Sequence, residues 1–365
     1  MDESSEEEDG GVEVVEEHFD HSLTESLVQA SAKVGPEHFE PLCLLGSGSF
    51  GEVYLVRKRD TGVYYAMKVL QKEKILAHNL VKYAFTERNV LSYTVHPFVV
   101  ALHFAFQTQD KLVLILDYCP GGDLGKMITK EQRFSEDRAK GYLCEILLAL
   151  EHLHKRNIIF RDLKPDNVVI DKEGHAMLTD FGLSKESVIG NQAAQSFCGS
   201  IAYLAPEMLK RSGHGKSVDW YLLGVLLYEM VVGLPPYFTN DRKELFNNIR
   251  KGPLMIPSCL RSETKDLIIK LLNKNPNKRL GAGPRDAEEI KEHSFFYGVN
   301  WKHVQQRQLQ NPKPSNLQQY FLEMHAEPVS YEHIFGSKKV IDNQKLEGWS
   351  FINSSLPANT LRKKS

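Results

Sequence analysis

One short stretch in the middle of the chain brings together the residue types that phosphoryl transfer to a hydroxyl requires. Asp162 is followed closely by Lys164 and Asn167, and Asp180 comes shortly afterwards in the sequence Asp-Phe-Gly. The reaction needs a carboxylate to orient the hydroxyl and accept its proton, cations to neutralise developing charge, and oxygen ligands for Mg²⁺. We assign Asp162 as the catalytic base and Lys164 as the cation beside the transferring phosphoryl group. Asn167 and Asp180 are the predicted metal ligands.

A glycine-rich segment lies well upstream, between two predicted strands. Glycines allow backbone N–H groups to approach phosphate oxygens because no Cβ is in the way. A hairpin that binds nothing and a dinucleotide-binding loop are the alternatives, and the second requires a helix directly afterwards. The chain instead continues as a strand beyond Glu52. The predicted phosphate-binding segment comprises Gly46, Ser47, Gly48, Ser49, Phe50, Gly51, Glu52 and Val53.

Lys68 lies in an otherwise apolar strand pattern, where an unpaired ammonium group would be costly. It therefore requires anionic partners, and Glu87 on the next predicted helix is the candidate. Such an ion pair would hold Lys68 against the α- and β-phosphates of ATP. A surface lysine and a solvated helical glutamate are the alternative interpretation for either residue taken alone.

The composition argues against several other classes of protein. The 365 residues are 42% hydrophobic and 25% charged, and the formal net charge is -2 at pH 7. These values are typical of a soluble globular protein and give no reason to expect nucleic acid or a membrane surface as the main partner. The five cysteines form no CxxC or Cys/His cluster, which favours a reducing intracellular compartment, cytoplasmic or nuclear. The longest apolar stretch, 220–234, is too short for a comfortable membrane span and contains Glu229.

Patterning divides the chain into a tail, two lobes and a second tail. Residues 1–33 are predicted to be a disordered tail, because 2–25 contain eleven acidic residues and no Lys or Arg. A small β-rich lobe over about 39–118 and a larger α-helical lobe over about 121–296 give an α+β fold, with a hinge at 120–122. The predicted strands are 38–45, 52–57, 63–70 and 98–106, and the predicted helices are Val81–Tyr93, 137–155, 220–232, 242–250 and 262–273.

The ordered set of motifs closely resembles the eukaryotic protein kinase family over residues 39–296. The sequence Phe-Arg-Asp-Leu-Lys-Pro-Asp-Asn at 160–167 matches the family's catalytic loop, and Ala-Pro-Glu at 205–207 matches the end of its activation segment. The resemblance implies a two-lobed kinase fold, with a five-stranded antiparallel small lobe, one regulatory helix, a mainly α-helical large lobe and ATP in the cleft between them. It also implies an ion pair between Glu207 and Arg279.

Three further features resemble the AGC group of Ser/Thr kinases, which contains cAMP-dependent kinase, protein kinase B and the ribosomal-protein kinases. They are Ser-Phe-Cys-Gly-Ser at 196–200, His-Ser-Phe-Phe at 293–296 and Asn-Trp at 300–301. The chain departs from that group at Phe160, where His or Tyr is usual, and at 201–202, where Ile-Ala replaces Pro-Glu. The resemblance implies ATP and Mg²⁺ as cofactors, protein substrates, an upstream activating kinase and a monomeric state.

By the same resemblance, a set of mostly apolar residues encloses the nucleotide, although core packing alone could also explain them. Asp117 and Cys119 are expected to bind adenine through their backbones. Asp123, Asp166 and Glu229 match the positions that read basic residues before the target Ser or Thr, and a simple surface acid is the alternative for each. The predicted pocket residues are Leu45, Val53, Ala66, Leu116, Val169 and Thr179, together with Asp117, Cys119 and Asp123.

The final segment, 297–365, resembles the AGC tail and contains a hydrophobic motif at 346–351 (Leu-Glu-Gly-Trp-Ser-Phe). Its bulky side chains are expected to dock beside the helix that carries Glu87, and packing against the large lobe is the alternative. Ser350 is a predicted phosphorylation site, because a phosphate there would add a charged contact to that docking.

The segment between Asp180 and Glu207 contains the predicted activating phosphosite, Ser196. A phosphate there could bridge Arg161 beside the catalytic base and Lys185 beyond the metal loop. Adding about two negative charges opposite such cations can order a loop.

Two other functions share parts of this set of residues. A pseudokinase scaffold would normally lack one of Lys68, Asp162 or Asp180. A small-molecule phosphotransferase would lack the activation segment that ends in Ala-Pro-Glu. Because the catalytic set is complete and Lys164 is typical of Ser/Thr rather than Tyr kinases, the sequence predicts an active Ser/Thr protein kinase.

Overall fold

The computed structural model describes the chain from residue 34 onward, with several gaps. The described ranges are 34–48, 51–184, 201–210, 213–313, 329–336 and 345–353. The acidic segment 1–33, the phosphate-loop residues Ser49 and Phe50, and Lys185 and Ser196 therefore lie outside the described residues.

An antiparallel sheet forms the small lobe. Its strands are β1 (Phe39–Ser47), β2 (Gly51–Lys58), β3 (Tyr64–Gln71), β4 (Leu102–Gln107), β5 (Lys111–Asp117) and β8 (Phe351–Ile352). They follow the order β1-β2-β3-β5-β4-β8. The five strands implied by the family resemblance are β1 to β5, and β8 adds a sixth. This sixth strand belongs to the C-terminal tail and pairs with β4. Without it, β4 would be an edge strand whose backbone N–H and C=O groups lack partners in the sheet.

Alternation along β3 determines which side chains face the cleft between the lobes. Tyr65, Met67 and Val69 are buried in an apolar cluster on one face of the sheet. Lys68 faces the opposite side, since successive side chains of a strand alternate. The tail helix Tyr331–Phe335 covers the apolar cluster through the buried side chain of Ile334.

Two helices follow β3, where the sequence predicted one. α2 (Val81–Tyr93) has the predicted bounds, whereas α1 (Lys72–Ala77) has only six residues, too few to show helical periodicity. The predicted strand at 98–106 is wrong in its first part, because β4 begins at Leu102. Val99 and Val100 instead pair with Leu178 of the large lobe.

The large lobe is mainly helical, as predicted. Its central helices are α4 (Glu136–Lys155) and α6 (Ser217–Val232), both buried along most of their length. Gly233 ends α6 in the left-handed conformation, with φ of 98°. The other elements are α3 (Leu124–Glu131), α5 (Pro206–Lys210), α7 (Arg242–Lys251), α8 (Ser262–Leu271), α9 (Ala287–Lys291), α10 (Trp301–Gln305), β6 (Val168–Ile170) and β7 (Ala176–Leu178). Within the described ranges, no helix has the length and apolarity needed to cross a bilayer.

Candidate active site

Lys68 is the centre of an ion-pair cluster between the two lobes, in which Glu87 is buried and Asp180 is partly exposed. Its Nζ lies 2.6 and 2.8 Å from the carboxylate oxygens of Glu87 and 3.2 Å from Oδ1 of Asp180. β3 presents Lys68 to the cleft, and α2 brings Glu87 to it. Burial alone would lower the pKa of Lys68, but the charges of Asp180 and Glu87 raise that pKa. Lys68 therefore provides a permanent positive charge in the cleft.

Contacts within the catalytic loop hold Asp162 in place. Its Oδ2 accepts hydrogen bonds from Nδ2 of Asn167 (2.8 Å) and Nζ of Lys164 (3.1 Å). Only 6% of Asp162 is exposed, and this burial raises the pKa of its carboxyl despite the nearby charge of Lys164. A carboxylate with a raised pKa is a stronger proton acceptor, as a general base requires.

Asp219, near the start of α6, braces the same loop. Its carboxylate accepts hydrogen bonds from the backbone N–H groups of Phe160 (2.9 Å) and Arg161 (2.8 Å). Arg161 has a φ of 69°, a left-handed conformation that is strained for a residue other than glycine. The two bonds to Asp219 stabilise this backbone directly before Asp162, the predicted catalytic base.

Asn167 and Asp180 face the same cleft and could hold a metal ion. Nδ2 of Asn167 donates to Asp162, which leaves its carbonyl oxygen as the ligand atom. The charge of Lys68 lowers the pKa of Asp180, so that its carboxylate stays ionised. No group of three or more His, Cys, Asp or Glu suited to a metal occurs in the part of the chain that the structure describes. This donor set fits Mg²⁺, which proteins bind through one or two carboxylates together with substrate phosphates.

A cleft of about 270 Å³ between the lobes is lined by most of the predicted nucleotide-binding residues. Those residues are Leu45, Gly46, Val53, Ala66, Lys68, Leu116, Asp117, Cys119, Asp123, Val169 and Thr179. The side chain of Glu52 instead accepts a hydrogen bond from the hydroxyl of Tyr54 (2.7 Å). Lys126 also lines the cleft but was not among the predicted residues. A local signal for it existed, since Lys126 lies one helical turn after Asp123 and pairs with it at 3.1 Å.

The glycines of the phosphate loop have different structural roles. A Cβ on Gly51 would overlap the backbone oxygen of Val69, so close strand packing requires glycine there. A Cβ on Gly46 would meet nothing within 4 Å, and the N–H of Gly48 closes the turn on the carbonyl of Gly51 (2.8 Å). Ser47 and these glycines line a wider part of the cleft that extends to the catalytic loop. Open space therefore lies beside Gly46.

The three acids predicted to read substrate, Asp123, Asp166 and Glu229, line this wider part of the cleft together. Glu229 is 9% exposed and accepts a hydrogen bond of 2.7 Å from the hydroxyl of Tyr203. Burial raises the pKa of Glu229 to about 7. Asp123 also caps α3 by accepting a hydrogen bond from the N–H of Lys126 (2.8 Å). Two of the three acids therefore have structural contacts in addition to facing the cleft.

The hydrophobic motif of the tail packs into the small lobe. Trp349 is fully buried, and its Nε1 donates to the backbone oxygen of Phe106 at 2.9 Å. Phe85 on α2 packs edge-on against the Trp349 ring, with centroids 5.4 Å apart. The side-chain amide of Gln107 accepts from the N–H of Leu346 (3.0 Å) and donates to its carbonyl (2.7 Å). These contacts lie on the α2 side of the small-lobe sheet, as expected, and not on the large lobe, which was the alternative.

Arg88 links the motif to the helix that carries Glu87. Its guanidinium donates to the carbonyl oxygens of Trp349 (3.2 Å) and Ser350 (3.0 Å). The same guanidinium lies 5.6 Å from the ring centroid of Phe351, within cation–π distance. The side chain of Ser350 is exposed, so a modifying enzyme could reach it.

Comparison with protein-family models matches residues 39–296 to the protein kinase domain. Human ribosomal protein S6 kinase alpha-1 is 47% identical to the chain over 301 residues, which cover 81% of this chain and 41% of that protein. Rat RAC-beta serine/threonine-protein kinase is 46% identical over 284 residues, which cover 78% of this chain and 59% of that protein. The chain thus spans about half the length of the curated relatives that it matches.

Proposed function

The chain belongs to the protein kinase family, and on that premise we propose that it is an active Ser/Thr protein kinase. The ribosomal S6 and RAC kinases that it matches are AGC Ser/Thr kinases, so the resemblance predicted from the sequence is confirmed. The proposed reaction transfers the γ-phosphoryl group of Mg-ATP to Ser or Thr hydroxyls of protein substrates. One observation supports it most strongly. The catalytic loop with Asp162 and Lys164 and the ion-pair cluster of Lys68 face one cleft.

Each charged group has a distinct role in the proposed mechanism. Lys68 binds the α- and β-phosphates of ATP. Mg²⁺, when held by Asp180 and the carbonyl oxygen of Asn167, supplies charge neutralisation at the phosphates. Asp162 orients the substrate hydroxyl and accepts its proton. Lys164 donates toward the transferring phosphoryl group and stabilises the negative charge that develops there.

The proposed substrates carry Arg or Lys shortly before the target Ser or Thr. Asp123, Asp166 and Glu229 supply negative charge beside the catalytic loop, and opposite charges in a partly desolvated groove favour such a pairing. Phosphorylation of Ser196 by an upstream kinase and a monomeric state belong to the same proposal.

A pseudokinase scaffold is the alternative, and no observation on the catalytic groups favours it. Replacing the catalytic base separates the two functions. Asp162→Asn should lower phosphoryl transfer to a basic peptide by orders of magnitude, because an amide cannot accept the hydroxyl proton. Asp137→Asn is the matched control, since Asp137 is exposed and its surface pair with Arg261 contributes little.

Both variants should retain the unfolding temperature and the ADP affinity of the unmodified chain. An Asp162→Asn enzyme that works at the unmodified rate would show that the base is assigned wrongly. An unmodified chain that binds ATP, carries phosphate on Ser196 and transfers none to peptides would support the scaffold function instead.

A further inference from the structure

The strand that receives the tail contains an irregularity next to the nucleotide cleft. Between Leu102 and Phe104, β4 advances by two residues while its partner β5 advances by one. His103 is therefore the extra residue of a β-bulge. Bulges bend a strand and re-aim a side chain, and they are common beside active sites.

The bulge directs the His103 side chain to the end of β5. Its Nε2 lies 2.7 Å from Oδ1 of Asp117, and Oδ2 of Asp117 accepts a hydrogen bond from the N–H of Ala101 (2.8 Å). The ring packs edge-on against Tyr65, with centroids 4.9 Å apart. Asp117 lines the nucleotide cleft and begins the connection to the large lobe. The contact with His103 therefore restrains one wall of the cleft.

Asn353, at the end of the described tail, binds the backbone on both sides of the bulge. Its N–H donates to the carbonyl oxygen of His103 (3.0 Å), and its Nδ2 donates to that of Leu102 (3.1 Å). β8 leads the chain to this point by pairing Phe351 with Ala105. One tail residue thus satisfies two carbonyl groups at the irregular part of β4, where regular pairing is disrupted.

We propose that Asn353 is a positioning residue for the nucleotide. By binding the two carbonyls at the bulge, it holds His103 against Asp117 and so fixes the cleft wall. This connection differs from the contacts of Trp349 and Arg88, which act on α2. The inference rests on the proposed function, because it requires the cleft to bind ATP.

A double-mutant cycle tests the connection. In the full chain, Asn353→Ala should weaken Mg-ADP affinity and raise the KM for ATP about threefold to tenfold, the effect of losing the one hydrogen bond from Nδ2 to Leu102. The kcat at saturating ATP should be unchanged, since no catalytic group is altered. His103→Phe keeps the ring packing against Tyr65 but removes the donor to Asp117, and should have a similar effect. The double variant should be no weaker than His103→Phe alone, because both changes act on one connection.

Two further variants separate this role from general stability. Asn353→Asp keeps the size and the backbone N–H but cannot donate to Leu102, so it should weaken nucleotide binding as Asn353→Ala does. Asn247→Ala, an exposed position on α7, is the matched control and should change neither affinity nor KM.

Three outcomes would overturn the inference. The first is an unchanged KM and Mg-ADP affinity in Asn353→Ala. The second is a loss of Mg-ADP affinity from Asn353→Ala that is as large in the His103→Phe variant as in the unmodified chain. In either case an unmodified chain that binds Mg-ADP and phosphorylates a peptide would leave the proposed function standing. The third is an unmodified chain that does neither, which would overturn both.

Discussion

Arg279 and Glu207 form a buried, bidentate ion pair in which Nη1 of Arg279 lies 2.6 Å from Oε1 of Glu207 and Nη2 lies 2.9 Å from Oε2. Glu207 is in α5, at the end of the activation segment, and Arg279 follows α8. Arg279 also donates to the carbonyl oxygen of Ser217 at the start of α6 (2.7 Å). The pair that the family resemblance implied thus anchors the end of the activation segment to the central helix.

Removing one member of this pair should destabilise the protein strongly. Arg279→Met should lower the free energy of unfolding by about 3–5 kcal/mol, because Glu207 would then be a buried charge without its partner. The double variant Arg279→Met/Glu207→Met should be more stable than the single variant, since neither charge remains. Denaturant titrations compare the three proteins, and a double variant that is no more stable than the single one would contradict this explanation.

Lys68→Met should abolish most phosphoryl transfer while the protein stays folded. The variant loses the cation that is proposed to bind the phosphates of ATP, and Glu87 then lacks its ion-pair partner. Initial rates at saturating ATP and thermal unfolding measure the two effects separately. Lys302→Met, at an exposed position on α10, is the control for a lost lysine charge. A Lys68→Met enzyme with a rate near that of this control would exclude the proposed role.

Docking of the hydrophobic motif should support activity by holding α2 in place. Removing the buried Trp349 and the Phe351 ring takes away a few kcal/mol of apolar contact against the helix that carries Glu87. Trp349→Ala/Phe351→Ala should therefore be less active at matched Ser196 phosphorylation, and a peptide of the tail added in trans should partly restore activity. An unchanged rate in the double variant would mean that the docking has no part in catalysis.

Glu229 should make substrate selection depend on pH. Because its pKa is about 7, the carboxyl is mostly protonated at about pH 6 and ionised at about pH 8. The kcat/KM for a peptide with Arg before the target Ser should therefore rise with pH relative to that for a peptide without the Arg. The contribution of Glu229 to the free energy of unfolding should change in the opposite direction. A raised carboxyl pKa favours the folded state at low pH, and this contribution is lost as pH rises through about 7. In Glu229→Gln, the ratio of the two kcat/KM values should no longer change with pH. A ratio that still rose with pH in this variant would mean that another group causes the pH dependence.

Phosphorylation of Ser196 should raise activity. Arg161, which directly precedes Asp162, is one of the two cations that the phosphate is predicted to bridge, and its guanidinium donates to the carbonyl oxygens of Leu183 (2.6 Å) and Ser184 (3.3 Å). Ser196→Ala should lower the rate, whereas Ser187→Ala in the same segment should not. Full activity of Ser196→Ala, or active preparations without phosphate on Ser196, would argue against this site.

The parts of the molecule that sequence predicted well are those encoded by local patterns. The bounds of α2 followed from its periodicity, and the pairing of Lys68 with Glu87 followed from the cost of burying a lone ammonium group in an apolar strand. Contacts between distant segments carry no such pattern. The pairing of Val100 with Leu178, and of Asn353 with the bulge at His103, depends on where the tertiary fold brings these backbones together. Periodicity within one segment therefore could not reveal either contact.

The tail strand also affects the order in which the small lobe can be completed during synthesis. Leu346 binds Gln107, which precedes it by 239 residues. A ribosome that adds about 5–20 residues per second needs on the order of 10–50 s to make that span. Until then, the nascent small lobe has an open edge at β4 and an empty groove for Trp349. Such an edge can pair with other chains, so a chaperone that recognises exposed strands would compete for β4 only until the tail emerges.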